Sequence, residues 1–277
     1  IDSVFYADAA IGAKKKIKSA WLVLMLVIAG AMIYNYDIRP LMAGADMISF
    51  RRVSDLVKKK NLAENIIRSN TPYADEMRLR LASDIFYDAT KIEDTEYVKW
   101  SLESIIKALE NSLDKRQTDF SLNHTLGNLY LRKASLFKSG EDYEKAIGYY
   151  QQALLLSPKK QATMFQLGTT YILNKEPQKA VDLLKQAVQD DEKSGMSHWR
   201  LAIAYLANSQ KDEAYASFKN SIEAHYFGDI AGEMEQAAAL CNEYEDSRCI
   251  VKMAIKIYDT KLLADPENVE YLKIIAN

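Results

Sequence analysis

A fixed spacing recurs through the middle of the chain. MFQLGTTY (164 to 171) and HWRLAIAY (198 to 205) align at 34 residues, which places Leu167 on Leu201, Gly168 on Ala202 and Tyr171 on Tyr205. The segments that follow keep the offset, with Ala180 on Ala214, Leu184 on Phe218 and Ala187 on Ser221. An earlier copy runs from HTLGNLY (124 to 130) through DYEKAIGYYQQALLLSP (142 to 158), where Ala146, Tyr150 and Ala153 again stand 34 residues before Ala180, Leu184 and Ala187. Its first half is displaced by 41, because about seven residues are inserted around KASLFKSGE; that is nearly two helical turns, so the hairpin lengthens while its buried face hardly rotates. A period of this length constrains the fold strongly. A unit this short cannot bury its apolar face alone and must stack on its neighbours.

Small residues recur where two helices would touch: Gly127, Gly168 and Ala202 in the first half of each copy, Ala146, Ala180 and Ala214 in the second. Tyr130, Tyr171 and Tyr205 are placed to fill the space between hairpins. The pattern resembles the tetratricopeptide repeat, which runs aromatic, Leu-Gly, Tyr, Ala, aromatic and Pro over about 34 residues. Pro158 ends the first copy, but Glu192 and Tyr226 stand where the next two would carry it. The resemblance implies an all-α fold, a right-handed solenoid of helix hairpins with three repeats in residues 120–228. Composition agrees, since five Pro, ten Gly and no strand-length alternation of β-branched residues favour helix nearly throughout.

The signal decays on both sides. Residues 41–119 read as about four amphipathic helices, among them YADEMRLRLASDIFYDA and EYVKWSLESIIKALENSL, with a break at Asn70, Thr71 and Pro72. These are expected to be divergent repeats, as the ends of solenoids are. Residues 229–277 read as one more divergent repeat: KMAIKIYDTKLLADPENVEYLKIIA (252 to 276) puts Ala254, Tyr258 and Pro266 in second-half positions, then begins a helix cut at Asn277.

Before the repeats, KKKIKSAWLVLMLVIAGAMIYNYD carries no charge between Lys18 and Asp37. Residues 19–36 would make about 27 Å of helix against a hydrocarbon core of about 30 Å. Seven Leu, Ile and Val residues contribute about −2 to −4 kcal/mol to insertion, with no central charge opposing it. No polar stripe at helical spacing suggests a helix lying on a membrane surface. Trp21 lies near one end, Tyr34 and Tyr36 near the other, and Pro40 is expected to stop the helix just outside. A membrane span is the preferred reading. A signal peptide, with Ala43-Gly44-Ala45 as a distant cleavage site, and a buried soluble helix stand as alternatives. Residues 1–18 form a basic flank whose Lys14, Lys15, Lys16 and Lys18 outnumber Arg39, Arg51 and Arg52 beyond the run, which places the repeats outside the cytoplasm. The chain opens at Ile1, and we expect a longer protein in which IDSVFYADAAIGA ends an earlier apolar segment.

Chemistry-bearing motifs are few. A net charge of −2, from 36 basic and 38 acidic residues, provides no footprint for nucleic acid. There is no GxSxG, HExxH, Walker loop or GxGxxG, so we expect no catalytic residue, cofactor or metal. Cys241 and Cys249 would lie about 12 Å apart on one straight helix, too far for a disulfide. A turn within NEYEDSR would bring them together, but two buried free thiols are the preferred reading. What the repeat resemblance offers is a groove lined by first helices, which implies a protein or peptide partner. By that resemblance its lining is His124, Asn128 and Arg132, then Phe165, Thr169 and Leu173, then Trp199 and Ile203. Phe165 and Trp199 stand where carboxylate-clamping members of the family carry polar residues, and packing between repeats competes with ligand contact for both.

The order of a basic loop, a span contacting the bilayer through residues 19–36, the segment YNYDIRPLMAGADMI and then repeats resembles the C-terminal part of bacterial O-antigen ligase or polymerase-type membrane proteins. The resemblance implies an inner-membrane location and a non-catalytic interaction module, because the glycan-transfer chemistry of that family sits in its other spans. A free-standing single-span scaffold or assembly factor is the alternative.

Overall fold

The computed structural model describes residues 21–264, without Gln117 and Asp229 and without the side chains of Ala231, Ala254 and 257–264. The basic flank 1–18 and the final helix expected before Asn277 lie outside the described residues. The described chain is helical and divides into two compact units, Ile1–Lys115 and Arg116–Asn277.

Helix α1, Trp21–Arg52, is long and apolar enough to cross a membrane, and none of its most apolar window is buried. It corrects one expectation, because Pro40 does not end it. Proline lacks the N–H for the helical ladder and its ring meets the carbonyl four residues back. The helix absorbs both by widening at Tyr34–Ile38, where the Arg39 N–H donates to the Tyr34 carbonyl, and Pro40 then takes an early position in the stretch Arg39–Arg52. Past this point the helix gains a buried face of Ala43, Met47 and Phe50.

That face packs in the first unit against α2 (Leu56–Arg68) and α3 (Ala74–Asp88), and α4 (Thr95–Leu113) packs on both of those helices. Asp55 and Asp94 cap α2 and α4 by accepting from the backbone N–H groups of Lys58 and Tyr97. The expected break at Asn70, Thr71 and Pro72 falls within the connection 69–73 that separates α2 from α3. The core is Phe50, Ile66, Leu81, Ile85, Leu102, Ile105 and Leu109, each essentially inaccessible. Polar side chains reinforce it. Lys59, almost fully buried, reaches Asp88 at 2.9 Å and lies over the Phe50 ring. Arg78 donates to the Ile67 and Ser69 carbonyls, to Asp75 and to Ser112.

The second unit is a run of hairpins: α5 (Phe120–Phe137) with α6 (Gly140–Leu156), α7 (Gln161–Leu173) with α8 (Pro177–Asp190), α9 (Gly195–Ala207) with α10 (Lys211–Glu223), and α11 (Ala231–Glu243) with α12 (Ser247–Ala264). The inserted residues of the first copy lengthen it as expected, since α5 has 18 residues where α7 and α9 have 13. The small residues do let the helices approach. A Cβ on Gly127 would stand 2.6 Å from the Tyr150 ring, and one on Gly168 would stand 2.9 Å from Leu184. First helices of three hairpins end alike, with a left-handed residue at Lys175, Ser209 and Glu245 and a backbone bond from the next N–H to the carbonyls of Tyr171, Tyr205 and Cys241. Successive copies are tied by one repeated bond: Asn174 donates to Glu144 at 2.6 Å, and Asn208 donates to Gln178 at 2.8 Å.

The last hairpin departs from expectation twice. Its second helix begins at Ser247 rather than near 252, so the hairpin lies 36 residues after the previous one (195 to 231); Ala254, Tyr258 and Pro266 lie where side chains are not described. Cys241 and Cys249 are also not free thiols. The turn at 244–246 folds the chain back, brings their Cα atoms to 5.7 Å and joins them in a disulfide. By the turn geometry Cys241 stands where Tyr171 stands two copies earlier, and Cys249 where Lys179 lies over that tyrosine. A covalent bond thus replaces a cation–π contact at the same place in the hairpin.

Candidate partner-binding face

Of the first helices of the second unit, α5, α7 and α9 carry all eight expected groove residues. The structure sorts these residues into fasteners and exposed positions. In α5, His124 stacks on Phe120, meets the Tyr150 ring edge-on and places Nδ1 3.0 Å from Thr163 Oγ1 on α7. Burial, with a smaller contribution from the nearby Lys160 charge, holds its imidazole below the ordinary value. Asn128 accepts the Tyr150 hydroxyl proton at 2.7 Å, and burial pushes that phenol well above its ordinary range. Arg132 is half-buried, which lowers its guanidinium from its ordinary value.

Trp199 takes the packing role of its two expected readings and is not a groove residue. It is 0% exposed, packed against Phe218 at 4.7 Å and Tyr226 at 6.2 Å, and its indole N–H donates to Glu233 at 2.8 Å. Gly228 closes the cage with a left-handed φ of 73°, and any side chain there would collide with the indole. The reason is geometric: the ring is large enough to reach Phe218 on the second helix, and Tyr226 and Glu233 beyond it complete the enclosure. Trp199 therefore fastens one hairpin to the next, as His124 does through Thr163, and no ligand reaches it in this fold.

Phe165, Thr169 and Ile203 are half-buried and Leu173 is exposed. Of the eight, Ile203 lines an open groove of about 590 Å³ that crosses α7, α9 and α11. Sequence reasoning missed the rest of that groove: Ile172, Leu206 and Ala207 on the first two of these helices, and Gln236, Ala239 and Leu240 on α11. Ile172 and Leu206 share the 34-residue offset, and that apolar column was a readable signal. The α11 residues were not readable because their hairpin is out of register. The walls are charged but internally matched, with Glu233 accepting from Trp199 and Arg200 and Lys211 paired to Glu243 at 2.9 Å. The apolar floor is thus the uncommitted part. Among the described residues no group of three or more His, Cys, Asp or Glu is placed to hold a metal ion.

Stacked hairpins with small-over-large contacts and an open face of first helices define an all-α repeat solenoid of the tetratricopeptide type. The tetratricopeptide repeat family model matches residues 137–194. No curated protein sequence matches the chain. Among solved structures, PilF of Pseudomonas aeruginosa is 13% identical over 86% of this chain and 98% of its own, with a TM-score of 0.52. A thermophilic tetratricopeptide repeat protein of Thermus thermophilus is 16% identical over 73% and 97%, with a TM-score of 0.47. MamA of Desulfovibrio magneticus is 15% identical over 68% and 97%, also at 0.47. At such identities the likeness to PilF is one of fold.

Proposed function

We propose that this chain is a non-catalytic interaction module, tethered to a bacterial inner membrane by α1 and facing away from the cytoplasm, which captures a protein or peptide segment on the groove floored by Ile172, Ile203 and Leu206. The observation that carries the reading is the pairing of a bare apolar helix with an open apolar groove whose charged walls already satisfy one another. Exposed apolar surface rimmed by polar groups is the usual mark of a protein contact. In this reading Arg132, Phe165, Thr169 and Leu173 are secondary contacts on the same first-helix face, whereas His124 and Asn128 are committed to Thr163 and Tyr150. The test is a photo-crosslinking residue at Ile203 in the full chain, in membranes, with the exposed Leu155 as control site. A discrete adduct at 203 that disappears with Leu206→Glu supports the groove; equal labelling from both sites sinks it.

The side of the membrane is supported by two independent features. The lysine excess before α1 points its start to the cytoplasm, and a disulfide persists in oxidising compartments. Alkylation in intact cells decides the matter, because Cys241 and Cys249 found fully reduced would place the unit in the cytoplasm. As for the parent, the segment YNYDIRPLMAGADMI between the apolar run and the repeats supports the C-terminal part of an O-antigen ligase or polymerase-like enzyme. Fewer than several further spans upstream would favour the free-standing scaffold instead.

A further inference from the structure

The end of α1's apolar run opens onto a second cavity, unrelated to the groove. It is about 410 Å³, within the range of small-ligand pockets, and is lined from α1 by Tyr34, Arg39 and Asp46, from the end of α2 by Arg68 and from the α2–α3 connection by Ser69 and Thr71. Arg39 lies over the Tyr34 ring and holds Asn35 at 3.1 Å and the Asn70 carbonyl at 3.4 Å. Among the described residues both bonds leave from Nη1, so Nε and Nη2 are open to a ligand. Arg68 has its side chain 78% exposed and, among the described residues, is engaged by Glu64 alone at 3.1 Å, a solvent-accessible pair that exchanges at little cost. The hydroxyls of Ser69 and Thr71 are buried without a hydrogen-bond partner among the described residues, although Thr71 is more than nine-tenths enclosed. Buried hydroxyls are rarely left so, and each unmade bond is costly. Two guanidinium groups and two orphan hydroxyls on one cavity match the acceptor oxygens of a phosphate.

Position selects the source of that phosphate. Arg39 comes three residues after Tyr36, where the apolar run ends, about 4–5 Å along the helix, and the headgroup layer extends about 5–8 Å beyond the hydrocarbon. Asp46 lies a further seven residues on, about 10 Å deeper into the aqueous side, so the cavity is cationic at its membrane end and acidic at its far end. We propose that the Arg39–Arg68 cavity binds the phosphate of an anionic phospholipid headgroup, anchoring the first helical unit against the bilayer surface. The proposal rests on the reading of α1 as a span.

The test uses the full chain in phosphatidylcholine nanodiscs, with and without phosphatidylglycerol, and counts retained lipid by native mass spectrometry. Wild type should retain phosphatidylglycerol over phosphatidylcholine, and Arg39→Gln with Arg68→Gln should weaken that preference roughly fivefold per arginine. Arg80→Gln, on an exposed arginine of α3 paired to Glu76, should leave it intact. Asp46→Asn should strengthen it. A chain that inserts and resists a carbonate wash but shows no headgroup preference, or loses it equally with Arg80→Gln, overturns the cavity while leaving the span. A chain washed off by carbonate overturns both. Inorganic phosphate raising the unfolding midpoint in pure phosphatidylcholine discs, with no gain from phosphatidylglycerol, overturns the lipid source and assigns the cavity to free phosphate.

Discussion

The two helical units meet the same packing demand with different residues. In the second unit one contact is used again and again: a small residue on the first helix receives a large one from the second, Gly127 under Tyr150 and Gly168 under Leu184, and Asn174 and Asn208 tie successive copies by equivalent bonds. The first unit uses each device once. Lys59 is buried against Asp88 and Phe50, and Arg78 gathers two carbonyls, a carboxylate and a hydroxyl where α2 ends. Repeated apolar contacts tolerate drift, because any residue of suitable volume serves. A buried ion does not, because its partner must be present and well aligned. The difference teaches that a repeat remains visible in sequence only where its packing is also repeated.

The comparison can be broken most forcefully at Trp199. Trp199→Ala removes the ring that fastens α9 to α10 and α11 and should cost about 3–5 kcal/mol, read as a lowered denaturant midpoint of the second unit. Joint polar replacement of Phe165 and Trp199 should therefore unfold that unit rather than merely silence a groove. In the first unit, Lys59→Met leaves Asp88 without its partner and should cost about 3 kcal/mol, whereas Lys59→Met with Asp88→Leu should recover most of that. Failure of the double variant to recover would show that the pair does more than satisfy itself.

Opening the Cys241–Cys249 bond should lower stability by about 2–3 kcal/mol, with protection from hydrogen exchange lost first in α11 and α12. The glycines sharpen the contrast at finer scale. Gly127→Ala drives a methyl into the Tyr150 ring and should cost about 1–3 kcal/mol, while Gly148→Ala, with nothing within 4 Å, should gain about 0.5–1 kcal/mol in thermal unfolding. The smallest effect concerns His124. Its imidazole is held below the ordinary 6.5, so the unfolded chain takes up the proton first as pH falls; stability from this residue is present above about pH 6.5 and lost below it. Wild type and His124→Asn should converge between pH 7 and 5 if this is so, measured as the difference in their unfolding midpoints.

Much of this molecule was legible in its sequence. The 34-residue offsets of Leu167, Tyr171, Ala180 and their counterparts determined that the chain is all-helical, that hairpins stack, and where the middle copies begin and end. The uncharged run from Ser19 to Tyr36 determined that one helix is apolar on every side. Both are periodic or compositional properties, and a chain carries those in linear order. Tertiary structure alone decided the rest. Pro40 permits a continuous α1 because one widened turn supplies the missing geometry. Trp199 is core rather than contact surface because Phe218, Tyr226 and Gly228 come from residues far along the chain to enclose it. Cys241 meets Cys249 because the chain reverses at a left-handed Glu245, which spacing does not reveal. The floor of the groove and the Arg39–Arg68 cavity belong to the same class. Each is built where residues from separate helices converge, and convergence is set by packing, not by sequence neighbours.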